Sequence, residues 1–261
     1  MTYLLPDQYI LNVINKYKVQ TGILSPARTV VTANIFPIIR KWASPYLLKI
    51  DFSGSFAKNT AIIGSTDIDI FISLSPNTPH TLKEIYDRLY IKFPQDFKPR
   101  KQNVSINIQY SGLSIDLIPA KKQNFISQYH SVFKNRENTW TQTNIHAHIN
   151  TVNNSMRHNE IRALKIWRNI NGLDFPSFYL EMTVLNALGR KSVLPMARTL
   201  LNNNIWKVFT YLKEEFVDAS VIDPSNTNNA ISDDLTIAEK EKIAASAEIT
   251  LKKRYWEEII W

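Results

Sequence analysis

The sequence predicts a two-part chain, a mixed α/β half with helices at its N-terminus followed by an all-helical half. Three observations carry this. Apolar runs of strand length, at Leu47–Phe52, Asp67–Leu74 and Leu113–Pro119, are bounded by turn residues. From about residue 144 the apolar spacing becomes helical and stays so. Before the first strand, Ile10, Val13, Ile14 and Tyr17 also repeat at helical spacing. The expected division gives residues 1–143 to a core carrying the chemistry and 144–261 to a helical domain.

Each element has its local signal. A helix is expected over 7–19. Ser25 as cap and Pro26 in the first turn start a second, which runs towards Trp42 with a kink expected at Pro37. After the first two strands, Pro76-Asn77 breaks the chain, and His80 to Phe93 reads as an amphipathic helix. Asn103–Tyr110 and Leu113–Pro119 pair as a hairpin across Ser111-Gly112. Helices follow over 145–157, 158–171, 176–189 and 195–216. Residues 221–234 read as a polar loop. Thr236 with Glu239 three residues on makes a capping box for a last helix, expected to reach the Tyr255-Trp256 region.

Composition narrows the function. The 261 residues suffice for one large domain or two small ones, and 44% apolar with 21% charged residues describe an ordinary globular chain. With no cysteine, disulfides and zinc–thiolate sites are excluded, which suits a reducing cytoplasm. The N-terminus carries no signal-peptide pattern, and no apolar run approaches the ~18 residues of a membrane span, so no membrane contact is expected. A net charge of +8 attracts polyanions such as nucleotides or nucleic acid. The basic residues between Lys92 and Arg136, against only Asp96 and Asp116 as acids, are placed to guide one.

The stretch DFSGSFAKNTAIIGSTDIDIFISL, from Asp51 to Leu74, concentrates the chemistry. Asp67 and Asp69 lie two apart on a strand and so share a face, while Ile68 and Ile70 point to the core. Two such carboxylates repel unless a cation or a shared proton neutralises them. Hard oxygen ligands without a nearby His or Cys suit Mg²⁺ or Mn²⁺ on a phosphate substrate. Asp116, on a strand that can lie alongside, supplies the third carboxylate of a two-ion site for in-line displacement at phosphorus. The Gly54-Ser55 turn at a helix start lets backbone N–H groups and a hydroxyl approach phosphates closely.

These residues carry a resemblance. The pattern G-S, spacer, D-h-D, then h-D-h-h-P is similar to the nucleotidyltransferase superfamily related to DNA polymerase β. The match is close for the branch of archaeal CCA-adding enzymes, oligoadenylate synthases, cyclic GMP-AMP synthase and bacterial CD-NTases. GSFAKNTAIIGSTDIDIFI and LSIDLIPA carry the match, and IRALKIWRNINGLDFPSFYLEMTVLNAL resembles a helical segment of the same branch. The resemblance implies a palm-like mixed sheet and two Mg²⁺ (or Mn²⁺) ions on Asp67, Asp69 and Asp116. It also implies triphosphate contacts by Gly54, Ser55, Lys165 and Ser177, Phe178 or Tyr179 near the base, and His146 beside the triphosphate.

As to product, Thr141-Gln142 stands where CCA-adding enzymes have Asp-Arg, and the chain is expected to lack their tRNA-binding modules. The resemblance then implies a nucleotide signal in bacterial anti-phage defence, read by a downstream effector protein. Two sub-types fit. Hailong-type enzymes string deoxynucleotides, chiefly dATP, into single-stranded DNA from a C-terminal tyrosine, for which Tyr255 in KKRYWEEIIW is the candidate. This is the favoured expectation. CD-NTases instead join nucleoside triphosphates into cyclic oligonucleotides. Transfer to a small molecule, a protein or a tRNA end, and an inactive scaffold, are the remaining readings.

Overall fold

A computed structural model describes residues 5–64, 67–189 and 200–261. The chain divides into two compact units: a sheet unit of residues 20–58 and 66–149, and a helical unit of residues 1–19, 59–65 and 150–261. The seam falls inside a helix, six residues beyond the expected boundary at 143. The N-terminal helix groups with the helical residues.

In the sheet unit, α2 (Pro26–Ala43) starts with Ser25 Oγ accepting from the Arg28 amide at 3.5 Å and contains Pro37 within its span. β1 (Leu47–Phe52) leads into α3 (Gly54–Ala57), a single turn. β2 (Ile68–Leu74), α4 (Leu82–Lys92), β3 (Arg100–Lys101), β4 (Ile106–Tyr110), β5 (Leu113–Lys122), β6 (His130–Lys134) and β7 (Thr139–Thr143) follow. The strand order is β1-β2-β5-β4-β3, with β6 on the far half of β5 and β7 on β6. Only β2 and β5 run parallel among these pairs. Ile68, Ile70 and Ile72 of β2, and Ile115 and Leu117 of β5, are buried. α4, with the Thr81–Glu84 capping box at its start, packs against β4, β5 and β6.

The β6–β7 hairpin is absent from the sequence-based expectation. Its strands are short, and β7 (TWTQT) is exposed at its first two positions, so neither gives a clear apolar alternation. Phe71, Ala120, Val132 and Ile145 form the small core beneath it. Within this region His130 is 5% exposed. Its Nδ1 donates to the Gln128 carbonyl (3.1 Å), and its Nε2 lies at hydrogen-bond distance from Ser73 Oγ (2.7 Å). Burial, with Lys122 and His146 nearby, holds its pKa below the ordinary 6.5. The unfolded chain therefore binds this proton first, and stability is lost as pH falls through and below 6.5. The urea midpoint is expected to drop between about pH 7.5 and about pH 5.5, and His130→Gln to reduce that drop.

The helical unit holds α1 (Pro6–Tyr17), the second half of α5 (Ile145–Ser155), α6 (His158–Ile170), α7 (Ser177–Leu188), α8 (Leu201–Glu214) and α9 (Ile237–Leu251). Residues 195–199 of the expected fourth helix lie outside the described residues. The stretch 221–234 is not an open loop. Ile222–Asp223 and Asn226–Ala230 pair as a hairpin (β8, β9), followed by a 3₁₀ turn over Ile231–Asp234. Asp223 Oδ1 accepts from the Ser225 amide (2.7 Å) and hydroxyl (2.8 Å), closing the turn, while buried Val221 and Ile231 anchor its base. The last helix ends at Leu251, short of Tyr255, and Trp256–Glu258 forms a separate 3₁₀ turn. Asp7, in the first turn of α1, accepts from the Leu201 and Asn202 amides at 3.1 and 2.7 Å and so caps α8.

α6 organises this unit because every residue from Glu160 to Arg168 is buried. Trp167 donates to Thr250 Oγ1 (2.9 Å) and its ring meets Phe209 at a tilt, with centroids 5.1 Å apart. Such a helix can keep charges only if each is partnered. Lys165 Nζ meets Glu181 Oε1 at 2.7 Å and Thr60 Oγ1 at 3.1 Å, with Thr60 also donating to Glu181 (2.7 Å). Lys165→Met is expected to cost about 3–5 kcal/mol, read by chemical denaturation, because it strands a buried carboxylate. The double variant Lys165→Met/Glu181→Met should recover most of that loss.

Candidate active site

β2 and β5 lie side by side with Asp69 directly opposite Asp116. Parallel pairing without a bulge puts both side chains on one sheet face, which joins two carboxylates 47 residues apart in sequence (116 − 69). Asp67 stands just before β2 and is exposed. Its charge acts on Asp116, so the third predicted carboxylate is within electrostatic reach.

Gly54 lies against Asp69. Its φ is +55°, in the left-handed region, and a Cβ there would sit 1.7 Å from Asp69 Oδ2. The Ser53 amide donates to the Asp69 carbonyl at 2.8 Å, fixing the start of α3 beside β2. Among the described residues, Ser53 Oγ is buried with no hydrogen-bond partner. Ser55, in the same short helix, is half-buried.

Asp116 is 8% exposed. Its Oδ1 accepts from Asn107 Nδ2 (2.7 Å) and its Oδ2 from Ser105 Oγ (3.2 Å). Asn107 is in turn held by Arg100 Nη2, which donates to its Oδ1 at 3.0 Å. Burial first, then repulsion from Asp67, pushes the Asp116 carboxyl above the ordinary carboxylate range, while the Asn107 and Ser105 hydrogen bonds and Arg100 pull it back. Asn107 and Ser105 were missed in the sequence. The hairpin turn at Ser111-Gly112 fixes the register that sets Asn107 opposite Asp116, so the signal was present.

A cavity of about 340 Å³ opens over this face, with Asp69 and Asp116 in its lining and Lys101 and Arg136 among its walls. The donor set is hard oxygen, and the carboxylates converge with like charge, which fits a divalent cation. Among the described residues no three of His, Cys, Asp and Glu form a cage for a metal by themselves. Mg²⁺ rarely uses such cages, taking one or two carboxylates plus substrate phosphates and water. Asn107→Ala, which frees Asp116 to rotate, is expected to weaken Mn²⁺ binding and turnover by about 10–100-fold, measured by metal titration and pyrophosphate release.

The other predicted residues are distributed differently. His146 is half-buried and lines a separate cavity of about 270 Å³ with Asp51, Ser73 and His130. Lys165, expected at a triphosphate, is 1% exposed and engaged by Glu181 and Thr60. Ser177 Oγ accepts from Arg168 Nη1 at 3.0 Å at the start of α7, and Phe178 packs on the helical core. Tyr255 is 60% exposed, and its amide donates to Glu258 Oε2 at 3.2 Å.

The chain shares its fold with solved CD-NTase structures. Among solved structures, E. coli MS115-1 CdnC with ATP superposes with a TM-score of 0.74 at 17% identity, over 94% of this chain and 89% of that one. Elizabethkingia meningoseptica CdnE, a cyclic dinucleotide synthase with GTP and Apcpp, gives 0.71 at 16% identity, over 96% and 100%. Among curated proteins, the cyclic AMP-AMP-AMP synthase of Escherichia coli (strain MS 115-1) is 23% identical over 151 residues, 52% of this chain. The match spans about half of that relative, 47% of its length. No protein-family model matches the chain. These likenesses bear out the resemblance to the CD-NTase branch that the motifs carry.

Proposed function

We propose that the chain is a metal-dependent, template-independent nucleotidyltransferase that makes a nucleotide signal in bacterial anti-phage defence. One observation carries this reading: Asp69 and Asp116 are paired across parallel strands, with Gly54 pressed against Asp69. Asp67, Asp69 and Asp116 would hold two Mg²⁺ (or Mn²⁺) ions, and those ions, when bound, supply Lewis-acid charge to a displacement that releases pyrophosphate. Asn107 and Ser105 hold the Asp116 carboxylate in one orientation. Gly54 and Ser55 offer the close backbone approach a triphosphate needs, and Lys101 and Arg136 favour a polyanion at the cavity. Ser177 and Phe178 at the start of α7 remain nucleotide-binding candidates, as does His146. Substrates are nucleoside or deoxynucleoside triphosphates, and an effector protein would read the product. No described helix is long and apolar enough to cross a membrane, and we assign the reaction to the cytoplasm.

A cyclic oligonucleotide built from nucleoside triphosphates is the product best supported, because the curated relative is a cyclic AMP-AMP-AMP synthase. A second reading, single-stranded DNA from dATP primed by tyrosine, draws on the exposure of Tyr255. One experiment tests both. Purified protein is incubated with each labelled NTP and dNTP in Mg²⁺ or Mn²⁺, and products are resolved before and after protease. A phosphatase-resistant product supports the cyclic reading, whereas a protease-sensitive ladder abolished by Tyr255→Phe supports priming. Absence of pyrophosphate release with every nucleotide would overturn nucleotidyl transfer itself.

A further inference from the structure

A cavity of about 560 Å³ in the sheet unit lies away from the aspartates. Leu74, at the far end of β2, contributes to its wall, about 16 Å along the strand from Asp69. Trp42 from α2, Tyr46 from the turn that follows, and His80 from the segment before α4 form one part. The rest is a face of α4, where Ile85, Arg88 and Lys92 recur at helical spacing, with Ile91 77% exposed beside them. Trp42 and Tyr46 are only half-buried, although both are large and aromatic.

The charges in this cavity are one-sided. Among the described residues no carboxylate lines it, and Arg88 and Lys92 form no ion pair. Other nearby charges are already matched: Asp87 holds both Lys83 (2.9 Å) and Lys101 (2.6 Å). Glu84, the acid whose charge is felt with those of His80 and Arg88, is committed to the Thr81 amide (2.8 Å) and hydroxyl (2.9 Å). What remains is a pair of permanent cations and an imidazole beside two aromatic faces.

We propose that this cavity is a nucleotide-binding site separate from the aspartates, which takes a nucleoside monophosphate. Its size falls within the roughly 300–1,000 Å³ of small-molecule sites. Trp42 and Tyr46 offer faces on which a base of any identity stacks. Arg88 and Lys92 match the about −1.5 to −2 charge of a phosphomonoester, with the guanidinium able to hold two of its oxygens. A peptide partner would need acids to meet these cations but would leave the aromatic faces without a planar counterpart. The inference does not depend on nucleotidyl transfer, since none of these residues belongs to the aspartate site.

Photolabelling with 8-azido-AMP in the absence of divalent ions tests it. The label is expected on peptides carrying Trp42, Tyr46 or α4, in the unaltered chain and equally in Asp69→Asn/Asp116→Asn. Arg88→Glu/Lys92→Glu should lower it at least about tenfold, with an unchanged melting temperature; Arg88→Gln/Lys92→Gln serves if the charge reversal unfolds the chain. Adenosine alone and inorganic phosphate alone should each compete at least about tenfold less well than AMP. Label confined to other peptides, label lost with the aspartates, or label retained in the Arg88/Lys92 variants would overturn the proposal. Equal competition by inorganic phosphate would do so too, reducing the cavity to a simple anion patch.

Discussion

Asp69→Asn is expected to lower nucleotide incorporation by about 10³-fold or more, measured as pyrophosphate release, while the melting temperature holds or rises. The amide is nearly isosteric, so the strand pairing of Asp69 with Asp116 survives. It cannot supply the anionic oxygen that a bound divalent ion would take. The free protein, by contrast, sheds one of two carboxylates that lie side by side on neighbouring strands. Opposite signs for activity and stability are the mark of a site that is strained for its chemistry. Activity that survives within about tenfold would remove Asp69 from the reaction.

Much of this site was legible because it is local. The D-h-D strand, the Gly-Ser turn and the Leu113–Lys122 strand each announce themselves within a few residues, and the parallel register of β2 and β5 then follows from burial of Ile68, Ile70, Ile115 and Leu117. What escaped was set by partners distant in sequence. Lys165, expected at a triphosphate, is met by Glu181 and Thr60 inside a helix that is buried on all sides, and neither partner is signalled by its own segment. The hairpin of 222–230 looks like loop because its strands are polar, and only its flanks, Val221 and Ile231, enter the core. Asn107 lay within reach of the register argument, but an asparagine in a strand carries no signal of its own until its cross-strand neighbour is known.

Gly54→Ala should be nearly as damaging as loss of an aspartate. A methyl group there would need the space now filled by Asp69 Oδ2, only 1.7 Å from the Cβ position. The left-handed backbone at Gly54 adds about 1–2 kcal/mol of strain for any L side chain. The carboxylate must therefore swing away, and displacement of a reacting group by about 1 Å costs on the order of 10²-fold in rate. We expect at least that loss in pyrophosphate release, together with a lower melting temperature, the reverse of the stability change for Asp69→Asn. Ser55→Ala, beside it, removes only a hydroxyl and should leave the melting temperature unchanged.

The polypeptide crosses between its two units at residues 19–20, 58–59, 65–66 and 149–150, so neither unit is a continuous piece of chain. Cutting at residue 150 would separate α1, with its apolar residues Ile10, Val13 and Ile14, from the helical core that shelters them. Gene shuffling that joins the front of one relative to the back of another would thus exchange fragments of both units at once. Inheritance of this protein is expected to be all or nothing, with variation arriving through substitutions and surface insertions rather than by trading of modules.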